Sequence, residues 1–298
     1  MNVPRVTVRI PATTANMGPG FDCLGMALDI YDDITFTELG PAEPVVEGDE
    51  VIKSYGELAL HAAAMLYKEI RRAAPAFEVR SVNRIPIGPG LGSSAAAIIG
   101  GLMAANHLSG GTLSTKEILE LAVRIEGHPD NVTPALLGGC RVVVVEEDGQ
   151  LTQAEVPFPP ELKAVLFVPD FSMPTEESRK LLPDSLSRSD TVYNVSRAAL
   201  LVTALATRRF TLLEIAMGDR IHQPARSSLF PAMPWIFDAA LEAGALGVFL
   251  SGGGPTVLAL TLWEENEIGR AMKDAALEEG VNGECVVSQM TSTGAYVE

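Results

Sequence analysis

The chain has 298 residues, 47% hydrophobic and 20% charged, a composition that excludes disorder and a length that suits a large core and two domains. A formal net charge of −16 repels nucleic acid and anionic membranes, so neither is expected as a partner. Cys23, Cys140 and Cys285 are too scattered for a disulfide framework or a zinc site, and they fit a reducing cytoplasm.

Residues 1–10 alternate without an apolar signal core, and the longest apolar run, 95–105, is shorter than a bilayer span, so a soluble cytoplasmic protein is expected. Val6, Val8 and Ile10 alternate with Thr7 and Arg9, which predicts a half-buried strand stopped by Pro11. Residues 11–25 read as a long turn-rich segment in which Gly18-Pro19-Gly20 forces a tight bend. That bend could present Asn16 and Asp22 inward together, a pair suited to a ligand with an ammonium and a hydroxyl. Equally, both could simply bond their own turn. A strand over 28–38, interrupted near Asp32-Asp33, an amphipathic helix over 56–72 and a strand over 77–87 follow.

The strand feeds Pro86, Ile87, Gly88, Pro89, Gly90, Leu91, Gly92, Ser93, Ser94, Ala95 and Ala96, a glycine-bent loop opening a small-residue helix that ends near Leu108. The free N–H groups of a helix mouth carry the positive end of its dipole, and two hydroxyls add donors to phosphate or ligands to a metal. A Walker A loop would need Gly-Lys-Ser/Thr, and no lysine lies between Lys68 and Lys116. The dinucleotide pattern is matched formally by Gly90-x-Gly92-x-x-Ala95. Yet about 20 residues on, where an acidic ribose ligand belongs, stands a Gly110-Gly111 turn. A structural turn before a buried helix explains the glycines but not the paired serines.

Ser114-Thr-Lys-Glu117 is a capping box, so Glu117 is expected to bond backbone. The helix it starts ends at Glu126, a carboxylate placed against the dipole and relieved by a bound cation; an exposed glutamate would pay little there. His128, Asp130 and Asn131 follow at once, dense polarity for a plain connector, before the chain returns to a strand over 140–145. Pro157-Phe-Pro-Pro160 marks the expected domain junction, dividing the chain into 1–156 and 157–298. Beyond it come a buried strand over 164–168, a short helix placing Thr175 and Arg179 one turn apart, helices over 190–208 and 211–217, and Arg226. The two arginines would clamp a carboxylate bidentately, or merely balance an acidic surface. Strand, triple-glycine turn and strand over 247–260, a helix over 264–279 and a strand over 284–289 complete an α+β pattern with an antiparallel sheet.

Taken together, residues 86–96, 126–131 and 250–256 resemble the GHMP kinase superfamily, and residues 11–28 with 126–131 resemble its homoserine kinase branch. The resemblance implies a two-domain fold: an N-terminal sandwich like the second domain of ribosomal protein S5 and a C-terminal ferredoxin-like sheet with helices. It implies ATP and Mg²⁺, with the loop on the phosphates and Ser94 and Glu126 on the metal. It implies L-homoserine as substrate, held by Asn16, Asp22, His128 and Asp130 at the amino and hydroxyl end and by Arg179 and Arg226 at the carboxylate. Thr175 matches a threonine beside the transferring phosphoryl group, which with Asp130 and Asn16 makes the implied catalytic set; a homodimer is also implied. The rivals are a sister kinase acting on mevalonate or a sugar, and a non-catalytic binding protein of the same fold.

Overall fold

A computed structural model describes residues 4–39, 43–86 and 90–298; the side chains of Thr175 and Glu176 are not described. The first half contains β1 (Arg5–Asn16), β2 (Gly20–Glu38), β3 (Val45–Val46), α1 (Glu50–Glu69), β4 (Phe77–Val82) and α2 (Ser93–Leu108). It continues through α3 (Thr115–Glu126), α4 (Pro129–Leu137), β5 (Cys140–Val145) and β6 (Leu151–Val156). The second half contains β7 (Lys163–Pro169), α5 (Thr175–Lys180), α6 (Arg188–Ala206), α7 (Leu213–Ala216), α8 (Gln223–Arg226) and α9 (Met233–Glu242). It ends with β8 (Gly247–Leu250), β9 (Val257–Thr261), α10 (Glu265–Glu278), β10 (Gly283–Gln289) and β11 (Tyr296–Val297).

Two sheets carry these elements. The first is ordered β11-β1-β2-β4-β3, with β5 on the other end of the long β2 and β6 beyond it; α2 and α4 pack on β1 and β2. The second is antiparallel, β10-β7-β9-β8, the β-α-β-β-α-β order of a ferredoxin-like unit. Period-2 alternation fills both of its faces. Ala164, Leu166, Leu258 and Leu260 join the core of the first half, while Val165, Phe167, Val257 and Ala259 pack with Ile236, Ile268 and Met272 of α9 and α10. One continuous core therefore passes from the first sheet into the second, at about 1.5–3 kcal/mol for each large apolar side chain buried.

Several local expectations are corrected. Pro11 does not stop β1, because the register shifts between Pro11 and Ala12 and a proline without an N–H is tolerated at such a bulge. The supposed turn-rich segment is mostly strand, with β1 running to Asn16 and β2 starting at Gly20. Nor is β2 broken at Asp32: its buried carboxylate accepts from Arg84 N at 2.6 Å, Ile85 N at 2.8 Å and Asn83 Nδ2 at 3.1 Å. This pairing also ends β4 at Val82, so 83–86 form the stem of the glycine loop and do not continue the strand. The polar run after Glu126, too dense for a plain connector, opens a helix that was not expected, α4, with Pro129 at its first turn. The division expected at 157 falls between β6 and β7, but the closing residues leave the second unit. Met290 bridges Leu28, and β11 pairs with β1.

Candidate active site

The mouth of α2 is the first component. Its cap position is Gly92, at φ 71, which has no side chain to cap the first turn, and that turn carries the dipole's positive end. A Cβ at Gly92 would lie 1.9 Å from Thr13 Oγ1, and one at Gly90 would lie 2.4 Å from Ser251 O, so both positions require glycine. The loop is tied down by Thr13 N donating to Leu91 O at 3.1 Å and Ser251 Oγ donating to Gly90 O at 2.7 Å. Since Ser251 spends its proton there, Thr14 Oγ1 is the donor in their 2.7 Å bond.

Close by, Ser94 Oγ donates to Glu126 Oε2 at 2.7 Å, joining the first turn of α2 to the last residue of α3. Burial pushes the Glu126 carboxyl above its ordinary range, only partly offset by the Ser94 bond and by His128. His128 Nδ1 lies 2.6 Å from Asp130 Oδ1, and its Nε2 lies 3.9 Å from Glu126 Oε1. Burial lowers the imidazole's pKa, but the Asp130 hydrogen bond and the two carboxylate charges outweigh it and hold His128 above its usual range. Thr13 Oγ1 donates to Asn131 Oδ1 at 2.8 Å, fixing the first turn of α4 against β1.

The third component comes from the β1–β2 turn and the second half. Asn16, held at φ 68, donates from Nδ2 to Gly252 O at 2.8 Å and accepts from Asp22 N at 3.0 Å. This leaves it one N–H and one lone pair for a ligand. Asp22 does not bond its own turn through its carboxylate but pairs with Arg179 through two bonds of 2.9 and 2.6 Å. Its ligand atom and those of His128 and Asp130 lie within 4.8 Å of one another. Arg226 is not a surface arginine: 1% exposed, it donates from Nη1 to Gly252 O at 2.8 Å and to His222 Nδ1 at 2.9 Å. Burial, and then the charge of Arg179, push its guanidinium down to about 10. Its Nε is buried and has no partner among the described residues, a cost that an anionic ligand would remove.

A cleft of about 180 Å³ gathers these groups. Asn16, Gly90, Gly92, Ser93, Ser94, Glu126, His128, Asp130, Arg179 and Arg226 line it, with Asn131, Gly252 and Gly253 in addition. Asp22 reaches it through Arg179. Pro86, Leu91, Ala95 and Ala96 support the loop and helix without lining the cleft, and Leu91, Ala95 and Ala96 are buried. Ile87, Gly88 and Pro89, and the side chain of Thr175, lie outside the described residues.

Residues 57–139 match the family described as GHMP kinases N terminal domain, and residues 201–280 match GHMP kinases C terminal. A homoserine kinase of Desulfitobacterium hafniense is 44% identical over 296 residues, covering 98% of this chain and 99% of its own. The chain belongs to the homoserine kinase family. The crystal structure of homoserine kinase from Cytophaga hutchinsonii superposes with a TM-score of 0.87 at 31% identity, covering 99% of this chain and 97% of that one. Mevalonate kinase of Methanococcus jannaschii, at 16% identity and a TM-score of 0.70 over 97% of this chain and 99% of that one, shares the fold.

Behind the cleft stand residues that no motif of this homoserine kinase family member marked. Phe21 has Arg179 and Arg226 at 5.4 and 5.6 Å from its ring centre, so one aromatic ring lies against two like charges. Asp219, also unforeseen, accepts from Ile221 N, His222 N and Gln223 N and from Asn194 Nδ2 at 2.6–3.0 Å. The aspartate two residues before Ile221 and four before Gln223 is the one local signal for this turn.

Proposed function

We infer that the chain is an ATP-dependent kinase that phosphorylates the side-chain hydroxyl of L-homoserine, giving O-phospho-L-homoserine for threonine synthesis. One observation carries the assignment: a single cleft combines an uncapped helix mouth with a buried arginine whose Nε awaits an anion, beside carboxylates suited to an ammonium. A neutral sugar would satisfy neither charge.

The N–H groups at the mouth of α2 grip the phosphates, offsetting the chain's overall negative charge where ATP binds. A second hollow of about 370 Å³ shares Ser93 and Ser94 with the cleft and is lined by Val51, Tyr55 and Leu58; it takes the nucleoside end. Ser94 and Glu126 fit Mg²⁺, since they offer two hard oxygen ligands 2.7 Å apart, one a buried carboxylate whose charge is undercompensated. The metal supplies charge neutralisation on the phosphate oxygens. Arg226 and Arg179 take the substrate carboxylate, while Asp22, Asn16 and His128 hold the amino and hydroxyl end.

Transfer then needs mainly alignment. The substrate oxygen bonds to the γ-phosphorus as the bond to the β,γ-bridging oxygen breaks, and ADP leaves with that electron pair. Asp130, with Oδ1 held by His128, receives the hydroxyl proton on its second oxygen. Thr175, in the first turn of α5, is assigned to the transferring phosphoryl group by resemblance alone.

The test supplies purified protein with ATP, Mg²⁺ and homoserine, mevalonate or a sugar in turn, reading ADP release and product mass. Homoserine alone should gain 80 Da, the mass of one phosphoryl group by elementary stoichiometry. Turnover of mevalonate without turnover of homoserine would overturn the assignment.

A further inference from the structure

We propose that His222 is a positioning residue: its neutral imidazole, held by the Gly18 carbonyl, aims the Arg226 guanidinium at the substrate carboxylate. The proposal rests on the reading above, in which Arg226 takes that carboxylate. His222 is fully buried and does not line the cleft, so any part it plays is through its neighbours.

The hydrogen bonds fix its tautomer. Nε2 lies 2.7 Å from Gly18 O, and a carbonyl only accepts, so Nε2 carries the proton. Nδ1 is then a bare acceptor, and it accepts a hydrogen bond from Arg226 Nη1 at 2.9 Å. The other tautomer, or an imidazolium, would set donor against donor at Arg226. Burial pushes the His222 pKa down, outweighing the nearby Asp219, and so keeps the ring neutral.

The surroundings make this contact a reference point. Asp219 accepts from the backbone N–H groups of Ile221, His222 and Gln223, which fixes the entry to α8. Gln223 Oε1 accepts from Leu250 N at 2.8 Å, tying the same turn to β8. On the far side, Gly18 belongs to the bend that carries Asn16 and Asp22, and a Cβ there would lie 2.3 Å from Met217 O. His222 thus joins the bend holding one end of the substrate to the arginine holding the other. Arg226 Nη1 is spent on His222 and Gly252, which leaves Nη2 and Nε to the ligand.

Two variants separate the ring's two bonds. The amide oxygen of His222→Asn falls near Nδ1 and retains an acceptor for Arg226, whereas the amide nitrogen of His222→Gln falls near Nε2 and retains only the donor to Gly18. Losing a hydrogen bond to a charged group should raise the homoserine KM about tenfold or more in His222→Gln, with the ATP KM within about twofold of wild type. His222→Asn should lie closer to wild type than His222→Gln, although both melt earlier. Equal homoserine KM values for the two variants, or an ATP KM moving in step, would overturn the proposal. An Arg226→Leu control guards the premise. If it leaves the homoserine KM unchanged, the carboxylate reading fails first; if it raises that KM while His222→Gln does not, the reading stands and the positioning role falls. Nitrogen-15 NMR of the wild-type protein decides even where variants do not fold. His222 should show a protonated Nε2 and a hydrogen-bonded, unprotonated Nδ1 at neutral pH, and the opposite tautomer or an imidazolium would refute the proposal.

Discussion

Two helices of the first half begin alike in sequence, each with a glycine-bearing turn before it and a serine at or beside its start, and end up opposite in use. At the mouth of α3, Ser114 accepts from Glu117 N at 3.3 Å, and Glu117 accepts from Ser114 N at 2.8 Å. The helix satisfies itself with its own side chains. At the mouth of α2 the cap is a left-handed glycine with no side chain to offer, and Ser94 turns to Glu126 on a different helix. A position where the local rule for stability is set aside, inside a cleft, is where the proposed phosphates would do what a cap otherwise does.

The comparison makes opposite demands on activity and stability. The largest effect belongs to the open mouth: Glu126→Gln should lower Mg²⁺-dependent kcat by roughly a hundredfold or more. Because burial disfavours the Glu126 charge, the same change should leave the melting temperature at pH 7 unchanged or higher without metal and nucleotide. A variant with wild-type turnover would remove Glu126 from the site. The closed mouth should behave in reverse. Glu117→Ala should lower the melting temperature, with both KM values and kcat unaltered. Altered kinetics there would break the contrast.

The smallest effect is one of pH. His128 has a folded pKa above its ordinary value, set by Asp130 and Glu126 against burial. Its stabilisation is therefore complete below the unfolded value, near 6.5, and is lost as pH rises through the raised folded value. The melting-temperature advantage of wild type over His128→Gln should shrink between pH 6 and pH 8. An advantage that grows with pH would reverse the assigned sign.

Much of the site was legible in the sequence because residue types at helix ends violated local expectation: paired serines where one cap suffices, and Glu126 against a dipole. What stood behind the site was not. His222 finds Gly18 across 204 residues, and Asn16 finds Gly252 across 236, pairings that no local pattern encodes. Asn16 and Asp22, which the turn alone could not separate, divide their roles: Asn16 does bond its own turn, while the carboxylate of Asp22 leaves it for Arg179. The same distinction governs the fold. Alternation and short apolar runs revealed most strands but not β3, β6 or β11, and the passage of β1 through Pro11 and the return of β11 to β1 depend on partners supplied only by the tertiary arrangement.

The central claim, that the mouth of α2 holds the triphosphate beside an amino-acid pocket, is tested most directly by a crystal structure with a non-hydrolysable ATP analogue, Mg²⁺ and homoserine. The account predicts the phosphates on the N–H groups around Gly92, Ser93 and Ser94, with the substrate carboxylate on the Arg226 guanidinium. Phosphates bound elsewhere, with α2 closed by protein side chains, would contradict it.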